Sequence, residues 1–322
     1  MNNIEIIEQY MDVFQISYDE PNADENFSVI KDIFPKVKRV KNIKGFDESH
    51  SYAAHMSDKD YILILDGDLR ITQDIFDDFS EYIFLKGRPE KILNDKGVTS
   101  WCSKNIVNGL IYGNGGPKIW KTEVLKRVKS HSSGKLDWIG EISYRQMNNW
   151  YGYSVINATP YQAWRSGFRE CLKFCFDNNS CKKLKNPKKE MQHENYIRMI
   201  FWMNLGRDVS NGIFSILGAR SGAWELLVDH VSHDIILDYD ILKNYYRERY
   251  EFLENNQEEL EKYVHSLGVK LRKYFDFDIY EFNSLESEWI KKFIHNHKRS
   301  DISLEKIPLE ETLIKDNFKN KT

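Results

Sequence analysis

The stretch that decides the fold is residues 61–68, which read Tyr-Ile-Leu-Ile-Leu-Asp-Gly-Asp. Five apolar residues in a row, Tyr61–Leu65, predict a strand that is covered on both faces, as in the middle of a parallel sheet. Asp66-Gly67-Asp68 follows without a break. Open parallel sheets bind their ligands beyond the carboxyl ends of their strands, so we expect both carboxylates to lie at a binding edge.

The elements before this strand alternate between strand and helix. Residues 11–17 and 37–43 have strand patterns; Asp24 is a candidate cap for a helix that ends at Pro35, and residues 49–56 predict a short helix. This order is typical of a doubly wound α/β sheet. Farther along we predict a strand at 108–112, helices at 122–128, 137–150 and 195–202, and a helical pattern from 223 to 297. We therefore predict two domains, residues 1–224 and residues 225–322.

Composition sets limits on the class of protein. The chain has 322 residues, 41% of them hydrophobic and 30% charged, which excludes disorder as its main state. The spacing of the four cysteines fits no common zinc site, which favours reduced thiols. No apolar run approaches the roughly 20 residues of a membrane span, and the first ten residues lack the order of a secretory signal. We predict a cytoplasmic protein without a membrane partner.

The two aspartates after the strand are candidate metal ligands. Asp66 and Asp68 can hold Mg²⁺ or Mn²⁺ through oxygen atoms and leave other positions of the ion open for a diphosphate. Gly67 between them allows a tight backbone turn. The alternative is a surface turn whose carboxylates are only solvated.

A glycine-rich segment, residues 113–116, follows the predicted strand at 108–112. Its main chain can approach a ligand closely and offer N–H groups. The further residues of a dinucleotide fingerprint or a phosphate loop are absent, which weakens the case for nicotinamide or ATP. An ordinary tight turn is the alternative. Lys118 or Arg165 could add a positive contact to a diphosphate.

Asp137 and Glu141 are candidate catalytic bases. On a helix, residues four apart project from the same face, so both carboxylates would point to one place. Either one could remove a proton from an acceptor hydroxyl. The alternative is a pair of surface salt-bridge partners.

Charge is distributed unevenly along the chain. Residues 1–90 carry 10 basic and 19 acidic side chains, whereas residues 161–200 carry 9 basic and 4 acidic ones. The second segment could contact a polyanion, with nearby aromatic side chains stacking on bases. The candidate acceptor-binding residues are Trp164, Arg165, Arg169, Lys182 and Lys183. The alternative is a solvated lysine-rich loop with aromatic side chains in the core.

Several longer blocks resemble a family of bacteriophage glycosyltransferases of the GT-A fold. They are residues 16–26 (ISYDEPNADEN), 45–54 with His50, 66–68, 112–120 (YGNGGPKIW), 159–170 (TPYQAWRSGFRE) and 218–222 (GARSG). Together they span roughly residues 11–224. The resemblance implies a GT-A-like mixed sheet and, if a phage encodes the chain, a location in the host cytoplasm.

The resemblance also implies roles for individual residues. It implies a nucleoside diphosphate sugar donor held by Mn²⁺ or Mg²⁺ on Asp66 and Asp68, with His131 as a candidate third contact to metal or diphosphate. It places acidic residues at both Asp137 and Glu141. The remaining donor-binding candidates are Ser17, Tyr18, Asp19, Glu20, His50, Gly67, Gly115, Gly116 and Lys118.

We predict a metal-dependent glycosyltransferase that moves a sugar from a UDP-sugar, or a related donor, to a hydroxyl acceptor. Some relatives glycosylate modified bases in phage DNA, so we expect double-stranded DNA with a 5-hydroxymethylated pyrimidine as the acceptor. If the anomeric centre inverts, Asp137 or Glu141 takes the acceptor proton; if it is retained, the leaving phosphate could take it. The alternatives are transfer to a surface glycan or small carbohydrate, a non-catalytic nucleic-acid-binding protein and, less favoured, a nucleotidyltransferase.

Overall fold

A computed structural model describes residues 3–72, 96–113, 115–129, 142–176 and 182–295. The chain forms two compact units, each described by itself. The first unit contains residues 1–106 and 111–158, and the second contains residues 107–110 and 159–322. The helix formed by Gly212–Leu227 crosses the domain boundary predicted at residues 224 and 225, and that boundary stays a prediction.

The first unit is built on one mixed sheet. Its strands are β1 (Met11–Ser17), β2 (Lys38–Lys41), β3 (Tyr61–Asp66), β4 (Leu69–Arg70), β5 (Val98–Asn105), β6 (Ile111–Tyr112), β7 (Lys118–Lys121) and β8 (Tyr144–Ser154). The order across the sheet is β2-β1-β3-β7-β5-β8-β4, and β6 pairs with β5. Strand β1 is parallel to β2 and β3, whereas β7 is antiparallel to β3 and β5. The predicted α/β class with a mixed sheet is confirmed.

Helices pack on this sheet, and strand β3 is buried on both faces. The helices of the first unit are α1 (Asn3–Tyr10), α2 (Ala23–Ile33), α3 (Phe46–His55) and α4 (Thr122–Leu125). Leu63 and Leu65 belong to one hydrophobic cluster, and Ile62 and Ile64 belong to another. Burial on two faces is the reason why this strand has an uninterrupted apolar sequence.

Three predicted elements are corrected by the structure. The strand expected at 108–112 shrinks to β6, because Gly109 adopts a φ of 74° and the chain turns there. Residues 144–150 of the expected helix form the start of β8, which pairs in parallel with β5. Helix α2 begins at Ala23 with Asn22 as its N-cap, so Asp24 lies inside the first turn instead of capping it.

The second unit is helical in its described part. It contains α5 (Pro160–Phe174), α6 (Pro187–Glu190), α7 (His193–Asn204), α8 (Gly212–Leu227), α9 (Tyr239–Arg249), α10 (Gln257–Phe275) and α11 (Ser284–His295). Helices α5 and α8 approach closely because their glycines face the partner backbone. A Cβ on Gly218 would lie 2.0 Å from the carbonyl oxygen of Trp164, and one on Gly167 would lie 2.1 Å from that of Ser215. The predicted helical C-terminal region is confirmed.

Two further observations concern the cysteines and the helices. Cys102, Cys171 and Cys175 are buried and have reduced thiols. Burial raises the pKa of Cys175 to about 12. Of the helices in the described residues, none has the length and apolar character needed to span a bilayer.

Candidate donor and metal site at the carboxyl end of strand β3

The loop Asp66-Gly67-Asp68 turns directly at the end of strand β3, and β4 begins at the next residue. Gly67 lies against the end of β1. A Cβ at this position would be 2.8 Å from the Cβ of Ser17 and 3.2 Å from the carbonyl oxygen of Ile16. The close approach of the two strand ends therefore requires glycine between the two aspartates. Both aspartate side chains are half-buried, so each retains surface that solvent or a ligand can reach.

A buried lysine contacts the first of these carboxylates. Lys118 on β7 has a side chain that is only 4% exposed, and its Nζ donates to Oδ2 of Asp66 at 2.6 Å. The same Nζ lies 3.3 Å from the carbonyl oxygen of Gly116. The sequence predicts a contact of Lys118 with a diphosphate, whereas in the structure its Nζ bonds the carboxylate of Asp66.

The block DEPNADEN, residues 19–26, supplies much of the scaffold around this loop. Glu20 accepts a hydrogen bond from the backbone N–H of Tyr18 at 2.8 Å. Asn22 donates to the carbonyl oxygen of Val155 at 2.9 Å. Asn26, which is fully buried on α2, donates to the carbonyl oxygen of Gly67 at 2.9 Å. Of these three hydrogen bonds, the one from Asn26 reaches the loop itself, and the sequence analysis assigns Asn26 no role.

Arg39 on β2 is a second residue that sequence reasoning missed. Its Nη2 donates to the hydroxyl of Ser17 at 3.3 Å, and its Nη1 lies 2.6 Å from Oδ1 of Asp24. Lys41 also bonds Asp24 at 2.9 Å. Hydrogen bonds from Lys41 and Arg39 lower the pKa of the Asp24 carboxyl. The sequence signal is the strand–helix–strand order, which indicates that β1 and β2 pair in parallel. This pairing sets Arg39 beside Gln15, two residues before Ser17.

The two predicted donor-binding glycines after residue 114 lie against the protein itself. A Cβ on Gly115 would be 2.6 Å from the hydroxyl oxygen of Ser103, and a Cβ on Gly116 would be 2.3 Å from the carbonyl oxygen of Cys102. Packing on β5 therefore explains both glycines without a ligand. Their contact with a donor stays a prediction.

His50, another predicted donor contact, is in the interior of the first unit. Its residue is 4% exposed, its ring stacks on Phe46 with centroids 3.8 Å apart, and its Nδ1 lies 2.9 Å from the carbonyl oxygen of Phe46. The ring edge of His50 faces Trp120. In this arrangement His50 stabilises the packing of α3 on the sheet.

The described residues fit a divalent ion that takes part of its ligands from a substrate. Asp66 and Asp68 offer the carboxylate oxygens that Mg²⁺ and Mn²⁺ prefer. No group of three or more His, Cys, Asp or Glu side chains suited to a metal occurs in the parts of the chain that the structure describes. Mg²⁺ is commonly bound by one or two carboxylates together with substrate phosphates, and this pair matches that arrangement. His131, Asp137 and Glu141 lie outside the described residues.

The predicted acceptor-binding residues belong to the second unit, and most of them have internal contacts. Trp164 is fully buried against Phe168, with ring centroids 4.6 Å apart, so packing in the core explains this side chain without a base. Its contact with an acceptor stays a prediction. Arg165 and Arg169 both lie over the ring of Tyr239, at 4.5 and 4.8 Å from its centroid.

Lys183 also contacts another part of the second unit. Its Nζ donates to the carbonyl oxygen of Leu227 at 2.6 Å, and burial lowers its pKa. Lys173, Lys188 and Arg198 pair with carboxylates of the second unit. The exposed lysines of the basic segment are Lys182, Lys185 and Lys189.

Comparison with known proteins gives distant likenesses. No family matches the sequence, and no curated protein does. The mannosyltransferase PcManGT from Pyrobaculum calidifontis, in complex with GDP-Man and Mn²⁺, is 12% identical over 81% of this chain and 86% of that chain, with a TM-score of 0.35. S. aureus TarS 1–349 in complex with UDP-GlcNAc is 11% identical over 82% and 91%, with a TM-score of 0.33.

A third likeness covers less of both chains. The bifunctional IspDF from Campylobacter jejuni is 12% identical over 43% of this chain and 49% of that chain, with a TM-score of 0.27. This chain therefore spans about half the length of that protein. The three TM-scores are too low to establish a shared fold. The functional assignment therefore rests on residues of this chain.

Proposed function

We propose that this protein is a metal-dependent glycosyltransferase of the GT-A type, which moves a sugar from a UDP-sugar or a related nucleoside diphosphate sugar to a hydroxyl acceptor. The observation that carries the proposal is the loop at the end of β3. There, two half-buried carboxylates lie one residue apart beside the end of β1, and Gly67, Asn26 and Lys118 hold them in place.

The residues around this loop would contact different parts of the donor. The base and ribose would be contacted by Ser17, which ends β1, and by the next three residues, Tyr18, Asp19 and Glu20. Arg39, which already bonds the Ser17 hydroxyl, would orient that group. A divalent ion at Asp66 and Asp68 would offset the negative charge that grows on the diphosphate as the bond to the sugar breaks.

The acceptor hydroxyl must lose a proton during transfer. In an inverting reaction, the carboxylate of Asp137 or Glu141 would accept that proton as the oxygen attacks the anomeric carbon. In a retaining reaction, the leaving phosphate could accept it. A single-turnover product analysis by NMR separates the two cases, because the anomeric configuration of the product differs.

We propose DNA with a 5-hydroxymethylated pyrimidine as the acceptor, with Lys182, Lys185 and Lys189 as its phosphate contacts. These three lysines are exposed in a segment that has an excess of basic residues. Transfer to a carbohydrate is the second candidate. The internal contacts of Arg165, Arg169 and Lys183 favour it, because they occupy three of the cationic side chains that the segment could offer to a polyanion.

The test is to incubate the protein with hydroxymethylated or plain duplex DNA, a panel of UDP-sugars and Mn²⁺, and to measure the masses of the released nucleosides. We expect a hexose or pentose mass gain on the hydroxymethylated nucleoside alone, and a loss of about three orders of magnitude in rate for Asp68→Asn. Transfer to an oligosaccharide instead would reject the DNA acceptor. Release of pyrophosphate from a nucleoside triphosphate would indicate a nucleotidyltransferase and reject sugar transfer.

A further inference from the structure

Two cationic and two aromatic side chains of the first unit form a cluster on the sheet. Lys104 is opposite Tyr153 in the parallel pairing of β5 and β8, and Arg70 is opposite Tyr153 in the antiparallel pairing of β4 and β8. Residues directly opposite each other on paired strands project from the same face. The ring of Trp150 contacts that of Tyr153 edge-on, with centroids 5.5 Å apart. These four residues, Arg70, Lys104, Trp150 and Tyr153, are named the Tyr153 surface.

The Tyr153 surface lies at the edge of the sheet that carries the two aspartates. Strand β7 is antiparallel to both β3 and β5, so β3 and β5 run in the same direction, and β8 runs parallel to β5. Lys104 and Tyr153 are each the last residue but one of their strands. Directly after β8, the backbone N–H of Val155 donates to the carbonyl oxygen of Asp68 at 2.9 Å. A molecule on the Tyr153 surface would therefore lie beside the candidate donor site.

The side chains of this surface are half-buried, so each retains area that a ligand can reach. An edge-on contact covers at most one face of a ring, so the contact with Trp150 leaves the other face of Tyr153 outside it. Nζ of Lys104 lies 6.0 Å from the ring centroid of Trp150. Arg70 pairs with Glu25, whose side chain is 67% exposed. Because an exposed ion pair contributes little, a phosphate can replace Glu25 as the partner of Arg70.

Aromatic rings flanked by cations match the chemistry of a nucleotide. Bases stack on aromatic side chains, and the phosphates beside them contact lysine and arginine. A neutral carbohydrate would use the rings and leave the two positive charges without a role. Enzymes that modify a base of a duplex turn it out of the stack, because its reactive atom is otherwise inaccessible. A base turned out in this way offers the flat face that a tyrosine ring can bind.

We infer that the Tyr153 surface binds the target nucleotide of a nucleic-acid acceptor. The base, once turned out of the duplex, stacks on Tyr153, and Lys104 and Arg70 contact the phosphates on either side of it. Trp150 supports the Tyr153 ring through their edge-on contact. The inference rests on the proposed function and assigns acceptor binding to residues of the first unit, outside the basic segment 161–200.

The test measures the affinity of the full chain for DNA by fluorescence anisotropy, with UDP and Mn²⁺ present. The probes are a duplex with a paired 5-hydroxymethylated pyrimidine and the same duplex with that base opposite a mismatch. We expect the mismatched duplex to bind about fivefold more tightly or better, because its base costs less to turn out. Tyr153→Leu should weaken binding by about fivefold or more, whereas Tyr153→Phe keeps the ring and should stay within about twofold. Equal binding of the two duplexes, or an unchanged affinity in a folded Tyr153→Leu protein, would overturn the inference.

The cations are tested through the salt dependence of the same binding. Lys104→Gln and Arg70→Gln should each decrease the magnitude of the slope of log K against log salt by about 0.9, the value for one phosphate contact. Lys36→Gln is the matched control, because Lys36 is 78% exposed and precedes β2, at the opposite edge of the sheet. Tyr52→Leu, at a tyrosine of α3 that is 51% exposed, is the control for the ring. An unchanged slope in both cation variants would contradict the phosphate contacts, and if Tyr153→Leu does not fold, these two variants decide.

The failure of the inference can be told apart from the failure of the proposed function. If UDP binds with Mn²⁺ and DNA affinity depends neither on Tyr153 nor on the two cations, the proposed function stands and the inference is wrong. If the protein transfers sugar to an oligosaccharide whose KM rises in Tyr153→Leu, the surface binds a carbohydrate and the nucleotide is rejected. If UDP does not bind and no sugar is transferred, the proposed function is wrong, and weaker DNA binding by the Tyr153 and cation variants would still support a nucleic-acid surface.

Discussion

Asn26 and Gly67 are joined by a hydrogen bond of 2.9 Å that connects helix α2 to the loop carrying both aspartates. Asn26 is fully buried, so the carbonyl oxygen of Gly67 has a protein donor in place of water. The contact explains why a residue 41 positions away in sequence belongs to the candidate site. It also makes the loop geometry depend on the position of α2.

Replacing Asn26 by alanine should therefore weaken both folding and donor binding. The carbonyl of Gly67 would lose its donor in a buried place, which costs about 1–3 kcal/mol in the free energy of unfolding. Urea denaturation measures this loss, and calorimetry should show UDP affinity falling by about fivefold or more, since 1 kcal/mol corresponds to about a factor of five.

As a control, Asn204→Ala in the second unit removes a similarly buried amide, which bonds the carbonyl of Ile200. It should reduce stability without changing UDP affinity; equal effects of the two variants on UDP binding would contradict the role given to Asn26.

Gly67→Ala should displace the loop. The added Cβ would lie 2.8 Å from the Cβ of Ser17 and 2.9 Å from Oε2 of Glu20, so the strand ends must separate. We expect UDP affinity in the presence of Mn²⁺ to fall by about tenfold or more, measured by calorimetry. Gly109→Ala is the matched control. That glycine has a φ of 74° in the second unit, where alanine is strained but touches only the side-chain and Cα atoms of Lys291 among its nearest neighbours. Unchanged UDP binding in Gly67→Ala would show that the close approach of β1 and β3 does not matter for the donor.

The strands with a simple burial pattern are predictable from sequence. Strand β1 has the bounds that its alternation predicts, and the apolar run of β3 ends at Asp66 as expected. Strand β5 was not predicted, because its buried positions include Thr99, Ser100 and Ser103, which carry no apolar signal. Residues 144–150 of β8 fall in the helix predicted at 137–150, because this part of the sequence lacks the clear alternation of a strand.

The candidate site was predictable only in part, for a related reason. Asp66 and Asp68 follow a recognisable strand, so their place at the end of β3 could be read from local sequence. Asn26 and Arg39 act through residues that are distant in sequence, and their roles depend on which elements become neighbours. The bond between Lys118 and Asp66 depends on the antiparallel register of β3 and β7, which no local pattern encodes.

The proposed DNA acceptor predicts a salt-dependent effect of the exposed lysines. Replacing Lys182, Lys185 and Lys189 by glutamine should weaken binding to duplex DNA. If each lysine contacts one phosphate, the slope of log K against log salt should decrease in magnitude by about 2.7, or about 0.9 per contact. Fluorescence anisotropy at several salt concentrations measures the slope.

The control replaces Lys262, Lys270 and Lys273, which are exposed on α10, by glutamine. The same change in slope for both triple variants would indicate that the binding is not localised to the basic segment.

Glu225 predicts a pH dependence of stability in the second unit. Its carboxylate is buried on α8 and accepts hydrogen bonds from the hydroxyl groups of Tyr245 and Tyr250. Burial raises the pKa of this carboxyl above its ordinary value of 4.5, and the hydrogen bonds from the two tyrosines offset only part of that effect. The folded protein therefore binds this proton more tightly than the unfolded chain does. The resulting stabilisation is fully present below pH 4.5 and is lost as the pH rises through the folded-state pKa.

Glu225→Gln should remove that dependence, because an amide does not titrate. Relative to the unsubstituted protein, the free energy of unfolding of the variant should rise with pH above 4.5, by about 1.4 kcal/mol per pH unit, until the folded-state pKa is reached. Urea denaturation at a series of pH values measures the difference between the two proteins. Glu258→Gln, at an exposed position of α10, shows the effect of removing a surface carboxylate from the same unit. A constant difference between Glu225→Gln and the unsubstituted protein at all pH values would mean that the Glu225 carboxyl titrates alike in the folded and unfolded states, so that burial among the tyrosines does not favour its protonated form.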